Sequence, residues 1–203
     1  LTDEEKLTGG ASKAWKWHFM AQGHLGCGEP GTNGLNWWSA APLDKMGVGM
    51  YDDILTFAMD KTYTMDPGAG GTIYVNKDSG LRPDLNPGDG NDYAIPYETK
   101  STTWNLYTEG GVMYLEFPAE TVVGYVPNPQ GYSTPRFRVL NLTTDLLELA
   151  LDGPGITWHY LFVPVSFEGD ETSASSFASG LPGSWTWEPS VLGHFGCGPS
   201  GGN

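Results

Sequence analysis

Basic residues are scarce in this chain. Its 203 residues include 10 Lys and Arg against 24 Asp and Glu, which gives a net charge of −14. This balance excludes nucleic acid as a partner, because the phosphates would be repelled. It disfavours an anionic membrane surface for the same reason. High acidity mainly favours solubility and points to no particular ligand.

Long apolar runs and helical periodicity are also missing. No stretch approaches the length of a membrane span, so direct membrane insertion is not expected. With 29 Gly, 15 Pro and 13% aromatic residues, the composition is typical of a loop-rich, secreted β protein. Short alternating runs between Gly and Pro turns indicate strands. We predict an all-β fold, a jelly-roll-like antiparallel β-sandwich with long loops.

Nine segments carry the strand pattern. They are 13–19, 53–59, 71–75, 102–108, 111–117, 121–126, 136–140, 145–151 and 156–165. The run "TTWNLYTEGGVMYLEF" predicts a β-hairpin, since a short Gly turn joins two alternating halves. Residues 20–50 and 76–93 are predicted to be long loops that serve a site or cover one end of the sandwich.

Catalytic motifs are absent from the sequence. There is no Gly-x-Ser-x-Gly, no phosphate-binding loop and no His-Glu-x-x-His. Glu116 and Glu120 are separated by a proline, and Asp52 and Asp53 are adjacent, so neither pair has the spacing of two carboxylates sharing one strand face. His159 lies within a predicted strand and is expected to be structural. We therefore expect a protein without enzymatic activity.

The chain has only two cysteines, and they occupy equivalent positions of an internal repeat. "WKWHFMAQGHLGCG" at 15–28 matches "WTWEPSVLGHFGCG" at 185–198 in seven positions with a constant offset of 170. Two interpretations stay open: the tail begins a second module, or it returns as an edge strand of the same domain. Cys27 and Cys197 could pair in the second case and would be separate buried thiols in the first.

The repeat suggests a division of the chain. Residues 1–167 are predicted to form the β-sandwich module. Residues 168–183, which are small and polar, are predicted to be a linker. Residues 184–203 are then the partial repeat of the module start, or the returning edge strand.

One segment has the composition of a calcium loop. "DLNPGDGND" supplies hard oxygen ligands around a glycine turn, which suits Ca²⁺ although the spacing is not that of an EF-hand. The candidate ligands are Asp84, Asn86, Asp89 and Asp92. The alternative is a solvated turn, which these residue types also form. Beyond this possible calcium ion, no cofactor is required.

Aromatic residues carry the most informative signal, because an aromatic ring is a natural partner for the apolar face of a pyranose. Trp15 and Trp17 are expected in the core, whereas "TNGLNWWSAAP" places two adjacent tryptophans in a polar loop. Neighbouring residues of an extended segment point to opposite sides, so one ring is expected to anchor the loop and the other to face outward. The alternative is that both rings are buried. A second cluster of tyrosines includes an arginine whose forked donors suit sugar hydroxyls. The candidate carbohydrate-binding residues are Trp37, Trp38, Trp104, Tyr125, Tyr132 and Arg136.

Several motifs together carry a family resemblance. They are "GHLGCGEPGTNGLNWWSAAPLDKMGVGMYDDILTF", "GGTIYVNKD", "YLEFPAETVVGYV", "TPRFRVLNLTTDLLELAL" and "ITWHYLFVP". Over about residues 12–166 the chain resembles cell-surface glycan-binding lipoproteins of Bacteroidetes polysaccharide-utilisation systems, and modules attached to their glycoside hydrolases. Such modules often accompany PKD-type domains. The resemblance implies a jelly roll, export to the outer cell surface and binding of a polysaccharide, with a β-glucan favoured.

Three hypotheses for function follow. The first is non-catalytic polysaccharide binding, and a tandem repeat would suit it because linked weak sites raise avidity. The second is a structural or assembly module of a tandem-repeat surface protein or fibre, whose partners are neighbouring modules or like chains. A glycoside hydrolase of unusual sequence is the third, and the sequence favours it least.

Overall fold

The computed structural model describes residues 1–82, 84 and 91–167. Strands are the main regular secondary structure in this range, and the two α-helices are short. The strands are β1 (Ser12–Trp17), β2 (Leu25–Gly28), β3 (Trp38–Ser39), β4 (Ile54–Ala58), β5 (Thr62–Asp66), β6 (Thr72–Asn76), β7 (Asp92–Pro96), β8 (Lys100–Thr103), β9 (Asn105–Glu109), β10 (Val112–Glu116), β11 (Arg136–Leu142), β12 (Leu147–Gly153) and β13 (Ile156–Pro164). The helices are α1 (Asp3–Thr8) and α2 (Gln130–Ser133).

The main sheet follows an antiparallel path that almost closes on itself. Its order is β8-β5-β4-β1-β13-β12-β11-β10-β9. The first and last strands of this path are consecutive in the chain and are separated only by Trp104. A strand that bends between two sheets in this way forms the corner of a sandwich. The predicted all-β fold of antiparallel strands, packed as a sandwich close to a barrel, is confirmed.

Strand β13 is paired along both of its edges. Strand β12 pairs with one edge along most of its length. On the other edge, β2 pairs with Thr157–Tyr160 and β1 pairs with Phe162–Pro164. The short strand β3 pairs with β2 and extends the sheet at this point. The loop between β2 and β3 is therefore positioned by the centre of the fold.

A second, two-stranded sheet consists of β6 and β7. One parallel bridge, between Val75 and Val126, connects it to the segment before α2. The Asn76 N–H donates to the Val126 carbonyl, and the Val126 N–H donates to the Tyr74 carbonyl. This small sheet thereby brings Tyr74 towards the end of the sandwich where the β2–β3 loop lies.

The residues of the internal repeat are packing residues in the copy that the structure describes. Trp15, Trp17 and His24 are fully buried, which confirms the prediction that both tryptophans belong to the core. A Cβ on Gly26 would lie 2.6 Å from a Leu35 methyl carbon, and one on Gly28 would lie 2.0 Å from the Asn36 side-chain oxygen. The repeated residues are therefore those that this packing requires. Residues 168–183 and 184–203, including Cys197, lie outside the described residues, so the linker, the two interpretations of the tail and the cysteine pairing stay predictions.

The predicted secondary structure needs several corrections. None of the predicted segments covers β5, and the predicted strand 102–108 is divided at Trp104 between β8 and β9. The predicted strand 121–126 is instead an irregular segment in which Gly124 has a φ of +62° and lies against the Trp17 ring. Strands β2 and β3 lie inside the predicted loop 20–50, and β7 overlaps the predicted loop 76–93. The predicted hairpin is confirmed as β9–β10, with Gly110 and Gly111 at positive φ in its turn.

Neither helix of the described part is long and apolar enough to cross a membrane.

Candidate functional site

Two adjacent tryptophans are exposed at the surface. Trp37 is 54% exposed and Trp38 is 37% exposed. By contrast, Trp15, Trp17 and Trp104 are at most 3% exposed. Large aromatic side chains normally bury most of their area, so two neighbouring exposed indoles form an apolar surface that packing does not explain.

The exposed pair is carried by a loop that is fixed to the sheet. We name residues 29–38 the tryptophan loop. The Gly31 N–H donates to the Thr157 hydroxyl at 2.9 Å. Arg138 Nη2 donates to the Thr32 carbonyl at 2.6 Å. These bonds attach the start of the loop to β13 and β11. Because the loop is already held in place, binding a ligand costs it less conformational entropy.

The end of the same loop is fixed by backbone contacts. The Trp37 N–H donates to the Cys27 carbonyl at 3.1 Å, directly before β3 begins. Gly34 has a φ of +78°, and a Cβ there would lie 2.9 Å from the Thr157 carbonyl oxygen. Only glycine allows the loop to approach the β13 backbone this closely.

Trp38 has a defined set of neighbours. It pairs with Cys27 across β2–β3, and Cys27 pairs with Trp158 across β2–β13, so these three residues share one face of the sheet. The Lys45 ammonium lies 5.0 Å from the Trp38 ring centroid and 5.9 Å from that of Tyr74. The lysine thus stands between two aromatic rings, where it forms cation–π contacts and keeps a polar group beside the apolar surface.

Two tyrosines and a cysteine around this surface have raised pKa values. Burial raises the pKa of Tyr74 to about 12, and the carboxylates of Asp92 and Asp44 add to that effect. Burial likewise raises the pKa of the Tyr51 hydroxyl and of the Cys27 thiol. At neutral pH the site therefore offers indoles, phenols and one lysine, and it lacks a nucleophile activated by a lowered pKa among these groups.

Two of the predicted carbohydrate-binding residues lie inside the protein. Trp104 is 3% exposed and donates from Nε1 to the Ala58 carbonyl at 3.1 Å. Tyr125 is also 3% exposed, and its hydroxyl donates to Asp92 Oδ1 at 2.6 Å. Neither ring has a face available to a sugar, because both rings are packed in the hydrophobic core. We correct the candidate set by removing them.

The remaining two predicted residues do not join the tryptophan loop. Tyr132 lies in α2 and packs against the core. Arg136 lies on the outer face of β11, where it contacts Tyr107 and Tyr114. The structure thus brings Trp37 and Trp38 together and leaves Arg136 on a different surface.

Sequence reasoning did not assign Lys45, Tyr74, Tyr107 or Tyr114 to a site. For the last two a usable signal was present. In a hairpin with a two-residue Gly-Gly turn, Glu109 pairs with Val112. Moving two residues away from the turn along each strand then places Tyr107 opposite Tyr114.

The predicted calcium ligands are only partly within the described residues. Asp84 pairs with the Arg82 guanidinium through two bonds of 2.9 Å. Asp92 Oδ1 accepts hydrogen bonds from Asn76 and Tyr125. Asn86 and Asp89 lie outside the described residues. In the part of the chain that is described, no three acidic, His or Cys side chains are grouped as metal ligands, and calcium binding at 84–92 stays a prediction.

No protein-family model matches this chain, and no curated protein matches it either.

Proposed function

We propose that this protein binds an extracellular polysaccharide without catalysis, with the indoles of Trp37 and Trp38 as the contact surface. The observation that carries this proposal is the exposure of an adjacent tryptophan pair on a loop fixed by hydrogen bonds to β11 and β13. Rigid aromatic side chains supply contact area at low conformational cost. Pyranose C–H groups would pack on the indoles, and hydroxyls would meet polar groups beside them.

Polar groups near Trp38 and along the tryptophan loop support a neutral ligand. Lys45 lies beside Trp38, and Glu29 and Asn33 are exposed elsewhere on the loop. These groups offer both donors and acceptors to hydroxyls. The net charge of −14 would oppose long-range attraction of an acidic polymer such as pectin.

A β-glucan at the outer cell surface is the ligand and location that we favour. Both follow from the resemblance to glycan-binding modules of polysaccharide-utilisation systems. Weak binding by single modules, raised by repetition along a polymer, would suit such a role.

Affinity gel electrophoresis tests the proposal directly. The gels contain laminarin, mixed-linkage glucan, xyloglucan, mannan, xylan or pectin, each with and without EDTA. We expect laminarin or mixed-linkage glucan to retard the protein. Trp37→Ala and Trp38→Ala should each weaken binding about tenfold or more, because truncating a central aromatic contact commonly costs about 2 kcal/mol or more.

The matched control is Met59→Ala, since Met59 is an exposed apolar side chain, 39% accessible, on the β4–β5 turn. It should bind as the wild type does. Loss of retardation with EDTA alone would add the 84–92 segment to the mechanism. Retardation that both tryptophan variants retain would overturn the proposed site.

Assembly is the second candidate function, and the internal repeat favours it. The seven repeated positions include residues that are fully buried in the described copy. The second copy of this segment therefore contains the residue types needed to pack in the same way. If no polymer retards the protein, and sedimentation shows self-association that depends on concentration, the structural hypothesis replaces glycan binding.

A further inference from the structure

The outer face of strands β9, β10 and β11 carries an ordered stack of side chains. Tyr107 and Tyr114 pair across β9–β10, with ring centroids 5.8 Å apart and planes inclined by 29°. The Arg136 guanidinium carbon lies 3.7 Å from the Tyr114 ring centroid. Its Nε donates to the Tyr107 hydroxyl at 2.8 Å, and its Nη2 donates to Glu109. We name Tyr107, Tyr114, Arg136 and Glu109 the tyrosine–arginine face.

Cross-strand pairs of this kind stabilise a sheet, but sheet stability alone does not require two arginines, each paired with a carboxylate, on one face. The chain has only three arginines, and two of them, Arg136 and Arg138, lie two residues apart on the same side of β11. Each is matched by a carboxylate, Glu109 for the first and Asp152 for the second. The result is a charge-balanced array of planar groups rather than a basic patch.

A charge-balanced array selects the class of ligand. An anionic polymer needs uncompensated positive charge, which the carboxylates remove here. Neutral sugar hydroxyls need fixed donors and acceptors next to a flat surface. The Arg136 bonds to Tyr107 and Glu109 use two of its five N–H groups, while the Glu109 side chain is 68% exposed and available as an acceptor.

The same face of the sheet connects this stack with Ser39, directly after the tryptophan loop, whereas Trp38 pairs with Cys27 and lies on the opposite face. Paired residues run across it from Tyr107 through Tyr114, Arg138, Ala150, His159 and Gly26 to Ser39, which follows Trp38. This row crosses six interstrand spacings of about 4.8 Å, which is roughly 29 Å. Arg138, which lies beside Tyr114, also holds the loop through the Thr32 carbonyl.

We propose that the tyrosine–arginine face is a second binding surface for a neutral glycan, separate from the exposed tryptophans. The inference rests on the proposed function, because it assigns the same class of ligand to another part of the protein. A polymer that contacts both surfaces would be held more tightly than a short oligosaccharide at either one.

NMR titration separates the two surfaces. The ¹⁵N-labelled protein is titrated with β-1,3- and β-1,4-linked glucose hexasaccharides, while the indole signals of Trp37 and Trp38 and the Nε signal of Arg136 are followed. We expect the Arg136 signal to shift with the same ligand that shifts the indoles. Tyr114→Ala should weaken the Arg136-detected affinity by roughly five- to tenfold, the loss expected when one contributing aromatic contact is truncated.

Two further variants keep the test decisive. Arg136→Lys retains the charge but loses the forked donors. Because this variant also lacks the Arg136 Nε signal, binding at the tyrosine–arginine face is followed in it, and in the wild type for comparison, through the backbone amide signals of Tyr107 and Tyr114. These signals should show weaker binding, while the tryptophan signals stay responsive. Met59→Ala should behave as the wild type. If Tyr114→Ala does not fold, Arg136→Lys alone decides.

Each outcome is informative. Shifts at the indoles alone overturn this inference and leave the proposed function in place. Shifts at Arg136 alone support the second surface and overturn the assignment to the tryptophans. Shifts at neither, with both hexasaccharides, overturn both.

Discussion

At the scale of single residues, Asp53 is the most unusual ionisable group in the described structure. Its side chain is fully buried, and neither carboxyl oxygen has a hydrogen-bond partner among the described residues. Burial raises the pKa of Asp53 well above its usual range, and the nearby carboxylates of Asp52 and Asp66 raise it further. The neighbouring Trp17 indole opposes this effect only in part. The folded protein therefore holds Asp53 as a neutral acid well above the pH at which it ionises in the unfolded chain.

This carboxyl should make stability fall as the pH rises. The folded state keeps a proton that the unfolded state releases near pH 4, so from about that pH up to the raised pKa each unit costs roughly 1.4 kcal/mol. Asp53→Asn should remove this slope, seen as a gain in stability relative to the wild type between pH 5 and 8. Denaturant unfolding at several pH values measures the difference. Glu98→Gln, which changes an exposed charge, is the control, and parallel curves for Asp53→Asn and the wild type would contradict the prediction.

At the scale of elements, the tryptophan loop depends on two glycines that have different reasons to be glycine. Gly31 and Gly34 have φ values of +77° and +78°. A Cβ on Gly31 would meet nothing within 4 Å, whereas one on Gly34 would collide with the β13 backbone. Gly31→Ala should cost about 1–2 kcal/mol from backbone strain alone. Gly34→Ala should cost more, and it should also weaken glycan binding because the loop must shift.

Thermal unfolding and the gel assay together check this pair. Both variants carry the same backbone strain at positive φ, so the difference between their stabilities measures the effect of the close contact between Gly34 and the β13 backbone. Equal losses of stability in the two variants, with equal binding, would show that contact between the loop and β13 does not position the tryptophans.

The elements also show what sequence patterns could and could not reveal. Alternation identified β10, β12 and β13, because each pairs on both sides and presents one face to the core. It missed β2, whose "LGCG" sequence has little strand propensity and pairs because small residues admit neighbouring backbone. It overpredicted 121–126, where Val122 and Val123 are buried without strand pairing.

Like the strands, the candidate site could be predicted from the sequence only in part. Adjacent tryptophans among Gly and Asn residues predict one ring that anchors the loop and one that faces outward, whereas both rings are exposed in the structure. For Trp104 and Tyr125 the residue type gave no guide, because the same rings that stack on ligands also fill cores. Whether an aromatic side chain is buried depends on which strands pair with each other. This long-range pairing cannot be read from a local sequence pattern.

At the scale of the whole molecule, one corner joins the two ends of the main sheet. Strands β8 and β9 pair with β5 and β10 respectively, and Trp104 is the single residue between them. Its ring lies in the core beside Phe57, while its backbone N–H donates to the Lys61 carbonyl. The corner thereby joins the two end strands of the sheet path through one buried side chain.

Substitutions at Trp104 should therefore destabilise the entire sandwich rather than one strand. Trp104→Ala should cost about 3–5 kcal/mol because it leaves a large cavity. Trp104→Phe should cost about 1–3 kcal/mol because the Ala58 carbonyl loses its donor. Trp37→Ala is the matched control: it removes the same side chain from an exposed position, and it should change stability by no more than about 0.5 kcal/mol. Denaturant unfolding followed by circular dichroism measures all three, and a single transition shifted to lower denaturant is expected for the Trp104 variants. If Trp104→Ala unfolds at the same denaturant concentration as Trp37→Ala, closure at this corner does not stabilise the fold.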